Sequence, residues 1–145
     1  MEKLVKLLTQ LLITLRDLEA ILADEQLLLC AGQIDGVALQ VVTDKKNTLL
    51  SSLQHLDKIR MQGEKVLRLQ APYQDKPALA ELWQQITELG EALRNQNRHN
   101  GMLLSYHLDH NEKALAVLKS RHAQTVYGSD GQPRTSSISG RRVSI

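Results

Sequence analysis

Residues 4–29 read LVKLLTQLLITLRDLEAILADEQLLL, and this stretch decides the fold. Its leucines recur at alternating steps of four and three residues, which is the spacing of a heptad seam along one side of an α-helix. The seam consists of Leu4, Leu8, Leu11, Leu15, Leu18, Leu22 and Leu29, with Glu25 as its polar member. Further apolar residues beside the seam widen the stripe, so we expect this helix to pack against two neighbours.

Two more segments of the chain carry helical periodicity, separated by residues that end or begin helices. Gly32 follows the first segment, and Asp35 is a suitable N-cap for the second. Pro72 and Pro77 bracket a polar turn before the third, where Pro77 fits the first helical turn. We therefore predict an all-α fold, an antiparallel bundle of three long helices with coiled-coil-like packing. The predicted helical domain spans residues 1–118, with helices at about 2–31, 35–70 and 77–118.

The composition agrees with helix packing and places the chain in the cytoplasm. The chain has 145 residues, 42% of them hydrophobic, but contains one Trp, three Tyr and no Phe, whereas strands favour aromatic residues. Cys30 is the single cysteine, so no internal disulfide can form, and no signal peptide precedes the first helix. Charged residues interrupt every apolar run before it reaches the roughly 20 residues that span a bilayer.

The last part of the chain has the composition of a disordered segment. Residues 119–145 are rich in Ser, Thr, Gly and Arg and carry five basic residues against one acidic residue. Such a segment has little apolar surface to bury, so we predict a flexible basic tail. Its charges are too dispersed to indicate nucleic-acid binding, and we expect no nucleic-acid partner.

The third helix contains a break in its apolar seam. The stripe ends at Leu93, a wholly polar run follows at residues 95–100, and the stripe resumes at Leu104, eleven residues after Leu93. Such a stutter turns the later apolar residues to a different side of the helix. The third helix is also longer than the first, so its end is expected to project. An apolar face on a projecting helix requires another chain to cover it.

The sequence contains no motif that indicates catalysis. It has no glycine-rich phosphate loop, cysteine pair or nucleophile elbow, so we predict neither enzymatic activity nor a cofactor. His107 and His110 have a spacing that can share zinc, but no third ligand is assured, and we predict no metal site. His55 and Lys58 have the spacing of a histidine phosphotransfer domain, although Ile59 stands where those domains usually carry glycine. That class and a coiled-coil scaffold are the two alternative functions.

Several stretches together resemble the FlgN family of flagellar export chaperones. The most specific are Asn100 to Leu104, within the run from Asn97, and the Tyr127, Gly128, Asp130 and Gly131 element. Others that fall in the family's order are Gly32 to Ile34 with Gly36, Lys46, Leu49 and Leu50, Trp83, Gln84, Ile86 and Thr87, Asn111, Ala114, Leu115, Val117 to Lys119, Gln132, and Arg141 to Ile145. The resemblance covers nearly the whole chain.

The resemblance implies a cytoplasmic chaperone that binds amphipathic C-terminal helices of the hook-filament junction proteins, the first and third hook-associated proteins. It prevents their premature assembly and delivers them to the flagellar type III export gate. The family's cargo contacts lie in its C-terminal portion, which here corresponds to Met102, Leu104, Leu108, Leu115, Val117 and Leu118. Tyr127 is the predicted contact to the cytosolic domain of the export gate membrane protein, and the export ATPase complex is a further candidate partner. A homodimer stays open, because a heptad seam can close within one chain or between two.

Overall fold

The computed structural model describes residues 1–122 and Ile145, and its described part consists of three helices and their connections. Helix α1 spans Glu2–Leu29, α2 spans Gly36–Leu67 and α3 spans Pro77–His122. No strand occurs among these residues, so the predicted all-α bundle is confirmed. Helix α3 continues past the predicted end at residue 118, because no helix-breaking residue precedes His122. Nearly all of the predicted flexible tail lies outside the described residues.

Helix α1 is the centre of the bundle and packs against both other helices. The predicted heptad seam of α1 is buried along its whole length, and Leu8, Leu11, Leu15, Leu18 and Leu22 are completely inaccessible to solvent. Helix α2 returns antiparallel to α1, whereas α3 runs parallel to it: Gln96 bonds to Gln26, and His107 to Leu29 further along both helices. The prediction that α1 has two neighbours is therefore correct.

Helices α2 and α3 are joined by long polar side chains rather than by close backbone packing. Within the described chain, no Cα atom of α2 comes within 8 Å of a Cα atom of α3. The Arg60 guanidinium lies 4.4 Å from the centre of the Trp83 ring, and Lys46 Nζ donates a hydrogen bond of 3.2 Å to Asn97 Oδ1. These two bridges link α2 and α3 at different heights, while each of the two helices packs directly on α1.

A buried polar cluster holds the turn between α2 and α3. Arg60 Nε donates to Asp57 Oδ1 at 2.8 Å, and Arg60 Nη1 donates to Glu64 Oε1 and to the Tyr73 hydroxyl. The Tyr73 hydroxyl donates to Glu64 Oε1 at 2.6 Å, while its ring meets Trp83 edge-on at 5.8 Å. The cluster therefore ties the turn to both helices, which matters because α2 and α3 share no close backbone contact.

Burial in this cluster changes the acidity of its members. Burial, with a smaller contribution from the hydrogen bond to Glu64, raises the pKa of Tyr73 to about 12 against the opposing effect of Arg60. Burial alone lowers the pKa of Arg60, but its hydrogen bonds to Tyr73 and Asp57 outweigh that effect, so the net pKa is raised. The cluster thus requires a charged guanidinium and a neutral phenol.

The helix ends follow the sequence signals. The Asp35 side chain accepts a hydrogen bond of 3.1 Å from the backbone N–H of Ala38, and Pro77 is the first residue of α3, so both predictions are confirmed. Ile145, the last residue, is half-buried and packs against the hydrophobic core. Among the described residues, no helix has an apolar stretch long enough to cross a membrane.

We predict that stability falls at high pH because of Tyr73. An acidic group whose pKa is raised by folding contributes stability that is complete below its unfolded pKa near 10 and is lost as the pH rises through about 12. The free energy of unfolding should therefore decrease by roughly 2 to 3 kcal/mol over this range, measured by urea unfolding followed by circular dichroism. Tyr73→Phe should remove this part of the decrease and Tyr106→Phe should retain it. An unchanged pH dependence in Tyr73→Phe would contradict the prediction.

Candidate partner-binding surface

Helix α3 extends beyond the ends of both helices that pack around it. His107 Nε2 lies 2.6 Å from the carbonyl oxygen of Leu29, the last residue of α1. Lys46 of α2 lies level with Asn97 of α3. Because α2 runs antiparallel to α3 and begins ten residues before Lys46, the first turn of α2 is level with residue 107 of α3. Residues 108–122 therefore project beyond the bundle by about 22 Å at the usual helical rise, and we call them the overhang.

Four exposed leucines form an apolar line along the end of α3, which we call the leucine seam: Leu104, Leu108, Leu115 and Leu118. Their spacings of four, seven and three residues put them on one side of the helix. Their exposed fractions are 39%, 47%, 56% and 52%, although leucines in the first part of α3 are largely covered. The stutter in the sequence therefore marks the transition from a covered apolar face to an uncovered one.

The other two predicted contact residues lie away from the leucine seam. Met102 is 65% exposed and Val117 is 53% exposed. At about 100° per residue, Val117 lies roughly 160–180° around α3 from Leu108 and Leu115, and Met102 lies roughly 120–140° from them. A single helix packed along the leucine seam would not contact Met102 and Val117, and whether any partner binds them stays a prediction.

The leucine seam continues the side of α3 that faces α2. Leu104 is the fourth residue in a row at seven-residue spacing that begins with Trp83, Gly90 and Asn97. Two members of that row contact α2, since Trp83 packs under Arg60 and Asn97 accepts a hydrogen bond from Lys46. From Leu108 onward the leucine seam therefore lies beyond the first turn of α2, where a longer α2 would cover it. A helix is the shape that fits this position.

A layer of buried polar residues separates the hydrophobic core from the leucine seam. Glu25, at the polar position of the α1 seam, accepts hydrogen bonds of 2.8 Å from Lys46 Nζ and 2.9 Å from Asn100 Nδ2. Asn100 also donates to the carbonyl oxygen of Leu22, and Lys46 reaches Asn97. Glu25 and Asn100 are 4% and 1% exposed, so this network joins all three helices inside the bundle.

In the sequence, residues 95–100 are a polar break in the apolar stripe, and this network was not predicted from them. The signal was nonetheless present, because Asn100 occupies the next place in the row of Leu79, Ile86 and Leu93 at seven-residue spacing. A polar residue at a core position of a heptad requires a polar partner across the interface. Glu25, the polar member of the α1 seam, is that partner.

The remaining residues that the sequence singled out are the histidines and Tyr127. The described residues contain no group of three or more His, Cys, Asp or Glu side chains suited to a metal, and His107 bonds to the α1 carbonyl instead. Tyr106 stacks on His110 at 6.3 Å on the outer part of α3. His55 is exposed on α2. Tyr127 lies outside the described residues.

A small helical bundle that leaves one apolar side of a long helix uncovered is typical of proteins that bind a helix of a partner. Comparisons with known proteins identify the family. The family model described as FlgN protein matches residues 1–135. The chain is 49% identical to the flagella synthesis protein FlgN of Yersinia enterocolitica over 144 residues, 99% of this chain and 98% of that protein.

Two further relatives carry the same name. The flagella synthesis proteins FlgN of Proteus mirabilis and Salmonella typhimurium are 41% and 39% identical over 145 residues, all of this chain and 99% and 100% of those proteins. No solved structure matches the chain. The chain belongs to the FlgN family of flagella synthesis proteins, as the resemblance predicted.

We predict that removing the carboxylate of Glu25 destabilises the bundle. Glu25→Ala would leave the partly buried Lys46 ammonium and the Asn100 amide without their shared acceptor. Loss of one partner from a buried ion pair costs about 3 kcal/mol in unfolding free energy, which urea unfolding would measure. Asp17→Ala, at an exposed position of the same helix, should change it by less than about 0.5 kcal/mol. Equal effects of the two substitutions would show that the network does not stabilise the fold.

Proposed function

We propose that this chain is a cytoplasmic flagellar export chaperone that binds the amphipathic C-terminal helices of the hook-filament junction proteins. The observation that supports this most strongly is the leucine seam, an apolar side of α3 that projects from a folded bundle and is covered by no other described helix. An amphipathic helix of a cargo protein has the matching shape and an apolar stripe of the matching spacing. Covering that stripe would keep the cargo from assembling before export.

Membership of the FlgN family supports the flagellar part of this proposal. The curated relatives are named flagella synthesis proteins, which relates the chain to flagellum formation. The hook-filament junction proteins, the first and third hook-associated proteins, are the proposed cargo because the family resemblance implies them. Family membership also separates the chain from histidine phosphotransfer domains.

The proposed binding mode leaves the bundle unchanged. The main hydrophobic cluster ends at the polar layer of Glu25, Lys46 and Asn100, beyond which Leu29 is buried. The leucine seam is about half exposed, so it contributes little to the stability of the three helices. A cargo helix can therefore bind along residues 104–118 without opening the core. No nucleotide or metal ion takes part in this mechanism.

We further propose that Tyr127 contacts the cytosolic domain of the flagellar export gate membrane protein, with the export ATPase complex as another partner. An aromatic side chain provides a large contact area at modest entropic cost. Tyr127→Ala should therefore reduce export of the hook-filament junction proteins while the affinity for their purified C-terminal regions stays unchanged. Loss of cargo affinity in Tyr127→Ala would assign this residue to the cargo site instead.

We predict that Leu108→Ala weakens cargo binding without unfolding the protein. Leu108 lies on the leucine seam and outside the hydrophobic core, so its truncation removes a contact that forms only in the complex. The expected loss is about 2 kcal/mol, roughly thirtyfold in Kd, by calorimetric titration with the C-terminal region of the first hook-associated protein. Val66→Ala, at a residue equally apolar and 82% exposed at the opposite end of the bundle, is the matched control.

The same experiment separates the chaperone from a coiled-coil scaffold. Light scattering after size-exclusion chromatography should show a one-to-one complex with cargo. A scaffold would instead form an oligomer that cargo does not change. If Leu108→Ala unfolds the bundle and leaves cargo affinity unchanged, Leu108 is a core residue and the proposed site is wrong.

A further inference from the structure

The leucine seam contains one polar position. Asn111 follows Leu108 by three residues and precedes Leu115 by four, so it lies on the same side of α3 as the four leucines. The five residues from Leu104 to Leu118 therefore alternate by four and three residues without a gap, as the core positions of a two-stranded coiled coil do. Asn111 is exposed, like the leucines around it.

We infer that the overhang pairs with a single partner helix as a two-stranded coiled coil, and that Asn111 selects the partner and its alignment by requiring a polar residue opposite it. This inference rests on the proposed function and identifies the kind of helix that the leucine seam accepts. The partner is an amphipathic helix whose apolar stripe is interrupted by one hydrogen-bonding side chain such as Asn, Gln, Ser or Thr.

The physical reason is the cost of burying an amide. When a partner helix covers Leu108 and Leu115, the side chain of Asn111 between them loses its contact with water. A buried amide without a hydrogen-bond partner is destabilising, whereas one that is paired across the interface is tolerated. A partner with an uninterrupted leucine stripe would leave Asn111 unpaired, and a partner shifted by one turn would do the same. Single polar residues at coiled-coil core positions are known to specify alignment in this way.

The interior of the bundle already uses this device. Asn100 is buried at a core position of the α1–α3 interface and donates to Glu25, the polar residue of the facing seam. The same helix thus pairs one polar core residue within the chain, and eleven residues later presents a second one, Asn111, on its uncovered side. The chain pairs the first by itself, and the partner must pair the second.

The charges around the leucine seam favour a different protein over a second copy of this chain. Lys119 and Arg121 follow Leu118 and lie on either side of the seam, and Glu112 lies beside it one heptad before Lys119. The ion pair of Asp109 and Lys113 lies on the opposite side of α3. Two copies paired in parallel would bring Lys119 and Arg121 of each chain together, and like charges repel. A partner with acidic residues beside its apolar stripe would be attracted to this end of the overhang.

The test measures which of two peptides the full-length chain prefers. One peptide is the C-terminal helical segment of the first hook-associated protein, and the other is the same segment with the polar residues of its apolar stripe replaced by leucine. We expect the unsubstituted chain to bind the first peptide about tenfold more tightly, and Asn111→Leu to reverse this preference. Ser120→Leu adds a leucine to the same helix on the side away from the seam and should leave the preference unchanged.

The outcomes separate this inference from the proposed function. If neither peptide binds, or Leu108→Ala does not weaken binding, the proposed function and its site fail. If Leu108→Ala weakens binding but Asn111→Leu leaves the peptide preference unchanged, the proposed function stands and the role of Asn111 is overturned. Light scattering that shows a dimer of the unsubstituted chain, lost in Leu108→Ala, would identify a second copy as the occupant and also overturn it.

Discussion

A helix of 46 residues cannot be covered along its whole length by neighbours of 28 and 32 residues. In this protein the uncovered part lies entirely at one end, because the parallel α1 and the antiparallel α2 both have their ends level with His107. An overhang with a polar surface would be well solvated and would not need to be covered. Here the uncovered residues include the leucine seam, so exposed apolar area is concentrated where no other helix of the described residues reaches.

The polar layer explains how one helix can belong to a core and to an uncovered surface. Leu79, Ile86 and Leu93 bury their side chains against α1, and Asn100 ends this row by pairing with Glu25. This pairing satisfies the Glu25 carboxylate and the N–H groups of the Asn100 amide, while Asn100 Oδ1 is buried without a hydrogen-bond partner. The pairing also favours one alignment of α1 and α3, since a shift by one turn towards the end of α3 would place Glu25 level with Leu103 and Leu104.

The opposite end of the bundle uses polar groups for a different purpose. Arg60 joins Asp57 and Glu64 on its own helix to Tyr73 in the turn and to Trp83 on α3. The backbones of α2 and α3 stay apart and each helix packs on α1, so these side chains and the Lys46 to Asn97 bridge are the direct links between α2 and α3 that the described residues show. The position of α2 in turn leaves the leucine seam open beyond Gly36.

The sequence by itself determined the three helices, their caps at Asp35 and Pro77, the central place of α1 and the projection of α3. These features are local, because heptad spacing, helix-breaking residues and helix length can all be read directly from the sequence. The family resemblance added the role in flagellum synthesis. Only the tertiary structure decided that Asn100 is buried against Glu25 and that Arg60 bridges to Trp83. Those features depend on the rotation and alignment of helices far apart in sequence, which the burial of many side chains sets together.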